Sequence, residues 1–304
     1  MKNYILLFVM SLVSFTIMAQ EKQERYWRPN VEKIRIISYN ILNGFENGKD
    51  TEREDRLSEW VKEKDPEIVM LQELCGFNQE KLERLAEKWG HRYALIVKEE
   101  GYPVGITSKK PIELKVKLVN GYGHGLLHAQ TYGLNILATH LNPHDTNKRR
   151  AEAHNIIEYI RKENLDNVVL AGDMNSHSPM DAEYMEHSAI DLTAKYGGKE
   201  SKNLLNGKLD YSVIATYMSY PLIDACQKYT KPEERFSYPT PILYSIPKNL
   251  DIRRKTNERL DYIFLSADLS KNLIEGFIWN GEDTEYLSDH FPIGIDLLLN
   301  TQKK

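Results

Sequence analysis

The stretch VVLAGDMN at residues 168–175 is the part of the sequence that most directly indicates the fold. A short run of apolar side chains ends at Gly172, and Asp173 and Asn175 follow on alternate positions. Such a run is typical of a buried strand. Because open α/β sheets place their sites at the carboxyl ends of strands, we expect Asp173 and Asn175 to lie at such an edge.

Other predicted strands also end in polar residues, and predicted helices lie between them. Asn40, Glu73 and His140 each end or directly follow an apolar strand pattern. Periodicity predicts helices at residues 54–64, 79–89, 147–162, 180–188 and 221–228. Turn signals separate a predicted antiparallel meander of short strands between residues 93 and 139, and strands at 260–265 and 293–299 close the chain. This order favours an α/β fold in which two sheets pack face to face with helices outside.

The first twenty residues are typical of a secretory signal peptide. Lys2 precedes an almost wholly apolar run at 5–18, and Ala19 stands before a charged segment. The run is too short for a spanning helix, so we predict no stable membrane span and a periplasmic or secreted protein. The remaining residues, 21–304, are interpreted as a single catalytic domain, because the candidate site residues run from 40 to 290.

Charge and cysteine content limit the possible partners and stabilising bonds. The formal net charge is −4, which gives no overall basic surface for tight, sequence-independent nucleic-acid binding, although one local basic groove would suffice for a nuclease. Cys75 and Cys226 are the only cysteines. They either form a disulfide in an exported chain or are two small buried apolar side chains.

Several of the polar residues suit hydrolysis by water. Glu73, with Asn40 on a neighbouring strand, is placed to hold a hard divalent cation through oxygen. Asp261 and His290 match a carboxylate that orients an imidazole. No Gly-x-Ser-x-Gly motif accompanies them, so water is the natural nucleophile.

Six short motifs together resemble those of the endonuclease/exonuclease/phosphatase superfamily, whose members include deoxyribonuclease I. In order, they are Tyr39-Asn40, Gln72-Glu73, Thr139-His140-Leu141, Gly172-Asp173-Met174-Asn175, Arg259-Leu260-Asp261-Tyr262 and Ser288-Asp289-His290. The resemblance covers residues 34–299 and implies a four-layer α/β sandwich built from two mixed, mainly antiparallel β-sheets.

The resemblance also implies a role for each motif residue. Glu73 would be the principal Mg²⁺ ligand, with Asn40 beside it and Asp289 as an outer or second ligand; Mn²⁺ or Ca²⁺ are alternatives. Asp173 would orient or deprotonate the attacking water, and Asn175 would hold a phosphate oxygen. His140 and His290 would stabilise negative charge on the phosphoryl group, and Asp261 would fix the ring of His290.

The function these expectations indicate is an exported, Mg²⁺-dependent hydrolase of phosphate esters, either a phosphodiesterase or a phosphatase. The alternatives are a nonspecific extracellular nuclease and a catalytically silent binding module on the same fold. His140 stands where abasic-site endonucleases carry a different residue, which favours the deoxyribonuclease, sphingomyelinase and phosphatase branches. The substrate is a phosphate ester of a small molecule, a lipid headgroup or a nucleic acid, and we expect a monomer.

Three segments of the sequence are candidates for contact with the substrate. Lys148, Arg149 and Arg150 lie in the first turn of a predicted helix, where cations oppose the helix dipole. They either meet a substrate phosphate or form a solvated face. The loop at 176–209 is expected to help determine substrate specificity. The aromatic segment at 236–244 either lines the ligand or is simply a packed loop.

Overall fold

Two six-stranded sheets form the centre of the protein in this computed structural model, which describes residues 31–186, 203–243 and 257–300. The strands are β1 (Val31–Asn40), β2 (Ile68–Gln72), β3 (Tyr93–Ile96), β4 (Gly105–Ser108), β5 (Glu113–Leu118), β6 (Leu126–Thr131), β7 (Leu134–His140), β8 (Val168–Asp173), β9 (Leu204–Leu205), β10 (Lys208–Leu209), β11 (Leu222–Asp224), β12 (Asp261–Ser266), β13 (Leu273–Ile278) and β14 (Ile293–Asn300). Sheet A has the order β13-β14-β1-β2-β4-β3, and sheet B has the order β11-β12-β8-β7-β6-β5. Strands β9 and β10 form a separate hairpin.

Each sheet contains a parallel pair beside antiparallel pairs. In sheet A, β1 runs parallel to β2, and in sheet B, β7 runs parallel to β8. The pairs β2/β4, β3/β4 and β13/β14 in sheet A are antiparallel, as are β5/β6, β6/β7, β8/β12 and β11/β12 in sheet B. The predicted mixed, mainly antiparallel sheets are confirmed.

Helices cover the outer face of each sheet. The right-handed helices are α1 (Thr51–Lys64), α2 (Gln79–Lys88), α3 (Thr146–Lys162), α4 (Ala182–Glu186) and α5 (Ser212–Ser219). The helical segment Leu42–Gly48 has left-handed backbone at residues 43–47. Alternate residues of β1 and β2, such as Tyr39 and Leu71, pack with α1 and α2, and Leu170 of β8 packs with α3 and α5. The intervening residues are buried as well, and β2 contacts β7 and β8 of the other sheet. The predicted four-layer sandwich is therefore confirmed.

Side-chain caps set the helix starts. Asp50 accepts the backbone N–H of Arg53 at the start of α1, Asn78 caps α2 in the same way, and Asp145 accepts two N–H groups at the start of α3. Such caps satisfy amides that have no partner within the helix. They explain why α1 begins at Thr51, three residues before the predicted start.

Two sequence predictions of secondary structure are wrong, and two further elements were missed. The strands between residues 93 and 139 are not one meander, because β3 and β4 join sheet A while β5, β6 and β7 join sheet B. The helix predicted at 221–228 is instead the short edge strand β11, which pairs with β12, followed by turns. Helix α5 and strand β13 were not predicted.

Contacts divide the chain into the unit Ile34–Leu297, which holds every site residue discussed below, and a second unit made of the chain ends, Met1–Lys33 and Leu298–Lys304. The predicted signal peptide lies outside the described residues, and the single domain over 21–304 stays a prediction. Cys75 and Cys226 are buried and free rather than bonded to each other. Within the described ranges, no helix is both long enough and apolar enough to cross a membrane.

Candidate active site

Strand register places three of the predicted site residues side by side at one end of sheet B. His140, the last residue of β7, is level with Asp173 of β8, and Asp261 at the start of β12 is level with Asp173 on its other side. Gly172 makes this approach possible, because a Cβ there would lie 1.8 Å from the carbonyl oxygen of Thr139. The glycine that ends the apolar run is thus required by packing.

The Asp173 carboxylate lies at the centre of the site. Its Oδ1 accepts the backbone N–H of Asn175 at 2.8 Å. Its Oδ2 accepts Nδ2 of Asn40 at 3.2 Å and lies 3.4 Å from Nε2 of His140 and 3.6 Å from Nε2 of His290. Burial raises the pKa of Asp173 to about 7, although the charge of His290 acts in the opposite direction.

His290 is held by a second buried carboxylate. Its Nδ1 donates to Oδ2 of Asp261 at 2.8 Å, and Asp261 is itself fixed because its backbone N–H donates to Ser237 Oγ. Burial lowers the pKa of His290, but the carboxylates of Asp261 and Asp173 outweigh this and raise the pKa well above its ordinary value. The ring is therefore an imidazolium at neutral pH, with Nε2 turned towards Asp173.

Sheet A contributes Asn40 and Glu73 at its own strand ends. Glu73 follows β2 in a left-handed conformation with φ 60°, and its carboxylate accepts Asn43 N–H at 2.8 Å and Asn40 Nδ2 at 3.1 Å. Burial raises the pKa of Glu73; the Asn43 N–H lowers it, and the charge of Asp289 raises it. A non-glycine residue in this backbone region costs about 1 to 2 kcal/mol, a cost that clusters at functional sites.

The segment that carries Asp289 and His290 is tied directly to sheet A. Ser288 Oγ donates to the carbonyl oxygen of Asn40 at 2.6 Å, and Thr240 N–H donates to the carbonyl oxygen of Asp289 at 2.9 Å. The two bonds fix the backbone of the two residues that directly precede His290. Ser288 belongs to one of the six sequence motifs, but the sequence indicated no role for it.

His140 differs from His290 in its charge state. Burial lowers its pKa well below the ordinary value, and protonation of His124 or His290 would lower it further, so the ring is neutral. Its Nδ1 is buried without a hydrogen-bond partner. The ring of His124 packs on that of His140 with centroids 4.4 Å apart, and Tyr102 packs on His124 at 5.3 Å. Sequence analysis missed His124 and Tyr102, which lie in glycine-containing turns that gave no signal of function.

All of these groups surround one cleft of about 660 Å³, a size usual for small-ligand sites. The predicted site residues in its lining are Glu73, His140, Asp173, Asn175, Asp289 and His290. Asn40 and Asp261 lie behind them, each bonded to a lining residue. The structure thus brings all eight predicted site residues together, while their chemical roles stay predictions.

Comparison with known proteins gives the family. The sequence pattern of the Endonuclease/Exonuclease/phosphatase family matches residues 37–290, which is most of the chain. The chain belongs to the Endonuclease/Exonuclease/phosphatase family. No curated protein sequence matches it.

Solved structures share the fold of this family member. An AP endonuclease from Archaeoglobus fulgidus is 18% identical with a TM-score of 0.67, and the match covers 88% of this chain and 100% of that one. The 3'-5' exonuclease NExo from Neisseria meningitidis is 17% identical with a TM-score of 0.62, over 87% and 99% of the two chains. A structure described as the 3' phosphatase NExo from Neisseria bound to product DNA hairpin is 18% identical with the same TM-score and coverage. At these identities the likeness shows the fold.

The donor set of this family member suits a hard divalent cation. Glu73 and Asp289 line the same cleft, and the charge of Asp289 raises the pKa of Glu73, a repulsion that a bound cation would relieve. Asp173, Asp261 and His290 also have ligand-type atoms within 4.8 Å of one another, but Asp261 and His290 are already bonded together. Asn40 turns Nδ2 towards the carboxylates while Oδ1 accepts Leu42 N–H, so ligation through its oxygen requires the amide to turn over.

Neither Arg149 nor Arg150 at the start of α3 lines the cleft, where one reading of the sequence put a substrate phosphate, and neither belongs to a solvated face. Arg149 is fully buried and donates to Asn142 O, Thr146 Oγ1 and Asn203 Oδ1. Arg150 donates to Ser212 Oγ and to Asp210 Oδ2, at 2.6 and 2.9 Å. Both guanidinium groups are therefore bonded within the protein, to residues that are distant in the chain and that sequence periodicity does not reveal.

Proposed function

We propose that this protein is a metal-dependent hydrolase of phosphate esters that uses an activated water molecule. The observation that carries the proposal is the position of Asp173, whose Oδ2 is 3.4 Å from His140 Nε2 and 3.6 Å from His290 Nε2 in the cleft that Glu73 also lines. Family membership supports the same reaction class.

Each residue of the network suits one part of the reaction. Asp173, with a pKa of about 7, is poised to accept a proton from water near neutral pH. The water oxygen would bond to phosphorus as the ester P–O bond breaks, and the departing alkoxide would take up a proton. The His290 imidazolium, held by Asp261, would donate a hydrogen bond to a phosphoryl oxygen as its negative charge grows.

Glu73 and Asp289 are the residues that we propose would hold the cation, which is Mg²⁺ or alternatively Mn²⁺ or Ca²⁺. When bound, a hard cation supplies charge that neutralises phosphoryl oxygens and lowers the pKa of water. Asn40, which bridges Glu73 and Asp173 at 3.1 and 3.2 Å, would keep the metal-binding group and the water-activating group at a fixed separation.

Hydrolysis of bis(p-nitrophenyl) phosphate and of p-nitrophenyl phosphate tests the proposal. With Mg²⁺, Mn²⁺ or Ca²⁺ we expect release of nitrophenol that EDTA abolishes and that Asp173→Asn lowers by about two orders of magnitude or more. No turnover of either compound with any of the three cations contradicts the hydrolase proposal and favours a binding module. Turnover that survives Asp173→Asn contradicts the assignment of the base.

Nuclease activity is the second candidate, because two of the solved structures with this fold are an AP endonuclease and an exonuclease. Cleavage of plasmid DNA and of a labelled oligonucleotide at low ionic strength tests it. A kcat/KM on DNA above that on the small esters would favour a nuclease, and the reverse would count against it.

Export is also part of the proposal, and it rests on the apolar run at 5–18 followed by Ala19. Fractionation of cells that express the whole chain, with N-terminal sequencing of the product, provides the test. We expect a periplasmic or secreted protein whose first residue is near position 20. A cytoplasmic protein that retains residues 1–20 would contradict export.

A further inference from the structure

Two asparagine side chains outside the catalytic network, Asn142 and Asn203, line the cleft. In each of them the amide oxygen is hydrogen-bonded and the amide nitrogen is available to a ligand. Asn142 Oδ1 accepts the backbone N–H groups of His144 and Asp145, each at 2.9 Å. Asn203 Oδ1 accepts Arg149 at 2.6 Å. Within the described part of the chain, neither amide nitrogen donates a hydrogen bond, and both side chains line the cleft.

These amides are suited to neutral oxygen acceptors. Each amide nitrogen carries two N–H donors and no charge. Because the oxygen end of each amide is already bonded, its orientation is set before a ligand arrives, which reduces the entropy lost on binding. Asn203 is only 7% exposed, so its position is also fixed by packing. A hydroxylated ligand would meet donors that are already in place.

One wall of the same cleft is made of stacked rings. Tyr102, which is 43% exposed, packs on His124, and His124 packs on His140. Burial lowers the pKa of His124 to about 4, so this ring is neutral. A row of neutral rings next to amide donors is a surface on which the C–H face of a sugar or cyclitol can lie while its hydroxyl groups are bonded.

The charges around the cleft do not favour a substrate with many phosphates. Among the described residues that line it, none is lysine or arginine, His290 is a cation, and four are carboxylates: Glu73, Asp173, Glu258 and Asp289. Lys98 reaches the edge of the cleft, where it donates to the carbonyl oxygen of Gly123 at 3.4 Å. The nearby arginines are committed elsewhere. Arg149 bonds to uncharged groups, Arg150 pairs with Asp210, and Arg259 pairs with Asp181 and Asp224. Tight binding of polyanions normally needs several such cations.

We propose that the substrate carries a single phosphate on a neutral polyhydroxylated alcohol, a sugar, cyclitol or glycerol unit, with its hydroxyl groups held by Asn142 and Asn203 and its carbon face on Tyr102. The inference rests on the proposed hydrolase function and names the substrate class of the same site. The catalytic network would act on the phosphate, and the amides and rings would bind the leaving alcohol.

The first test varies phosphate number on one ring. kcat/KM is measured with Mg²⁺ for inositol 1-phosphate, an inositol trisphosphate and inositol hexakisphosphate, beside glucose 1-phosphate, glycerol 3-phosphate and a 20-nucleotide DNA. We expect kcat/KM to fall as phosphates are added and to be lowest for DNA. A KM that falls with each added phosphate, or DNA as the best substrate, overturns the inference.

Variants that keep the anchoring bonds give a sharper test. Asn142→Asp and Asn203→Asp keep the accepting oxygen and lose both N–H donors, so KM for the best monophosphate should rise about fivefold or more per variant while kcat changes little. Because the new carboxylate repels any phosphate, KM for p-nitrophenyl phosphate, which has no hydroxyl groups, is measured beside it and should rise less. Tyr102→Ala should raise that KM about fivefold, and Tyr102→Phe, which keeps the ring, should not. A KM for the monophosphate that is unchanged in all of these variants contradicts the proposal.

Binding separates failure of this inference from failure of the hydrolase proposal. Thermal-shift titrations of the Asp173→Asn protein with Mg²⁺ rank the same inositol phosphates without turnover. Monophosphate binding above hexakisphosphate binding supports the inference even if no ester is hydrolysed. The reverse ranking overturns it even if bis(p-nitrophenyl) phosphate is a good substrate.

Discussion

At the cleft, sheet A and sheet B each contribute a parallel strand pair, yet the groups at the ends of the two pairs differ. In sheet A, β1 and β2 end in Asn40 and Gln72-Glu73, an amide and a carboxylate with oxygen donors for a cation. In sheet B, β7 and β8 end in His140 and Asp173, with Asp261 alongside, which are groups that exchange protons. The same supersecondary unit thus presents two kinds of functional group, because the residue that follows the strand is free to vary.

The closing segment of the chain, residues 288–290, bonds to both sheets. Ser288 bonds to Asn40 of sheet A, while His290, two residues later, bonds to Asp261 of sheet B. This segment therefore connects the two strand ends across the cleft. We infer that sheet A positions the cation and sheet B activates the water.

Loss of the His290 imidazolium, which bonds to Asp261 of sheet B, should have the largest effect. His290→Asn removes the cation that faces Asp173, so we expect kcat on bis(p-nitrophenyl) phosphate to fall by about 10² to 10⁴-fold. Asp261→Asn keeps the ring but removes its carboxylate partner and should cause a smaller loss. Steady-state kinetics at saturating metal, with circular dichroism to confirm folding, provide the measurement. A folded His290→Asn protein with kcat within threefold of the wild type would contradict the role of His290.

Arg149 should matter for stability rather than for kcat. Its side chain is fully buried, and Arg149→Met leaves the acceptors Asn142 O and Asn203 Oδ1 unbonded, so the free energy of unfolding should fall by about 2 to 4 kcal/mol. Urea unfolding measures this loss, with Arg161→Met, an exposed change on the same helix, as the control. If Arg149→Met is as stable as wild type but has a lower kcat, Arg149 contributes to catalysis and its structural role is contradicted.

His91, a buried histidine next to sheet A, should contribute to the pH dependence of stability and not to catalysis. Its ring bonds to Thr107 Oγ1 and Pro66 O, both at 2.8 Å, and burial lowers its pKa to about 4. Because the unfolded chain takes up the proton near pH 6.5, the stability from this group is complete above that pH and is lost as pH falls to about 4. The loss should reach up to about 3 kcal/mol.

Urea unfolding at pH 7.5 and pH 4.5 measures this dependence. His91→Gln, which cannot titrate, should reduce the difference in stability between the two pH values, whereas His154→Gln on the exposed face of α3 should not. An equal pH dependence in wild type and His91→Gln would show that other groups cause the loss. Turnover at pH 7.5 should stay close to wild type in His91→Gln, since His91 lies outside the cleft lining.

The site was more predictable from sequence than some parts of the fold. Asp173, Glu73 and His140 could be found because each follows an apolar run whose end marks the sheet edge, and this signal is local. Helix α5 was missed because its sequence SVIATYMS has β-branched residues and no side-chain cap. Strand β11 was mistaken for a helix because pairing with β12, a non-local contact, decides its state.

The cleft walls could not be predicted for a related physical reason. Tyr102 and His124 come from separate turns, and only the packing of sheet A against sheet B brings their rings together. The partners of Arg149 depend in the same way on Asn203, which is 54 residues away in the chain. Contacts of this kind leave no periodic pattern, so the substrate-binding surface needs the structure even where the catalytic groups do not.

The most direct test of the division between the sheets is a metal titration of two isosteric variants in parallel. In Glu73→Gln, the Mg²⁺ concentration for half-maximal turnover should rise by about 10 to 100-fold, with much of the rate recovered at high metal. In Asp173→Asn, that concentration should stay within about threefold of wild type while the maximal rate falls by about 10²-fold or more. Equal shifts in both midpoints would contradict the account, because Asp173 would then be a metal ligand and the two sheets would share one role.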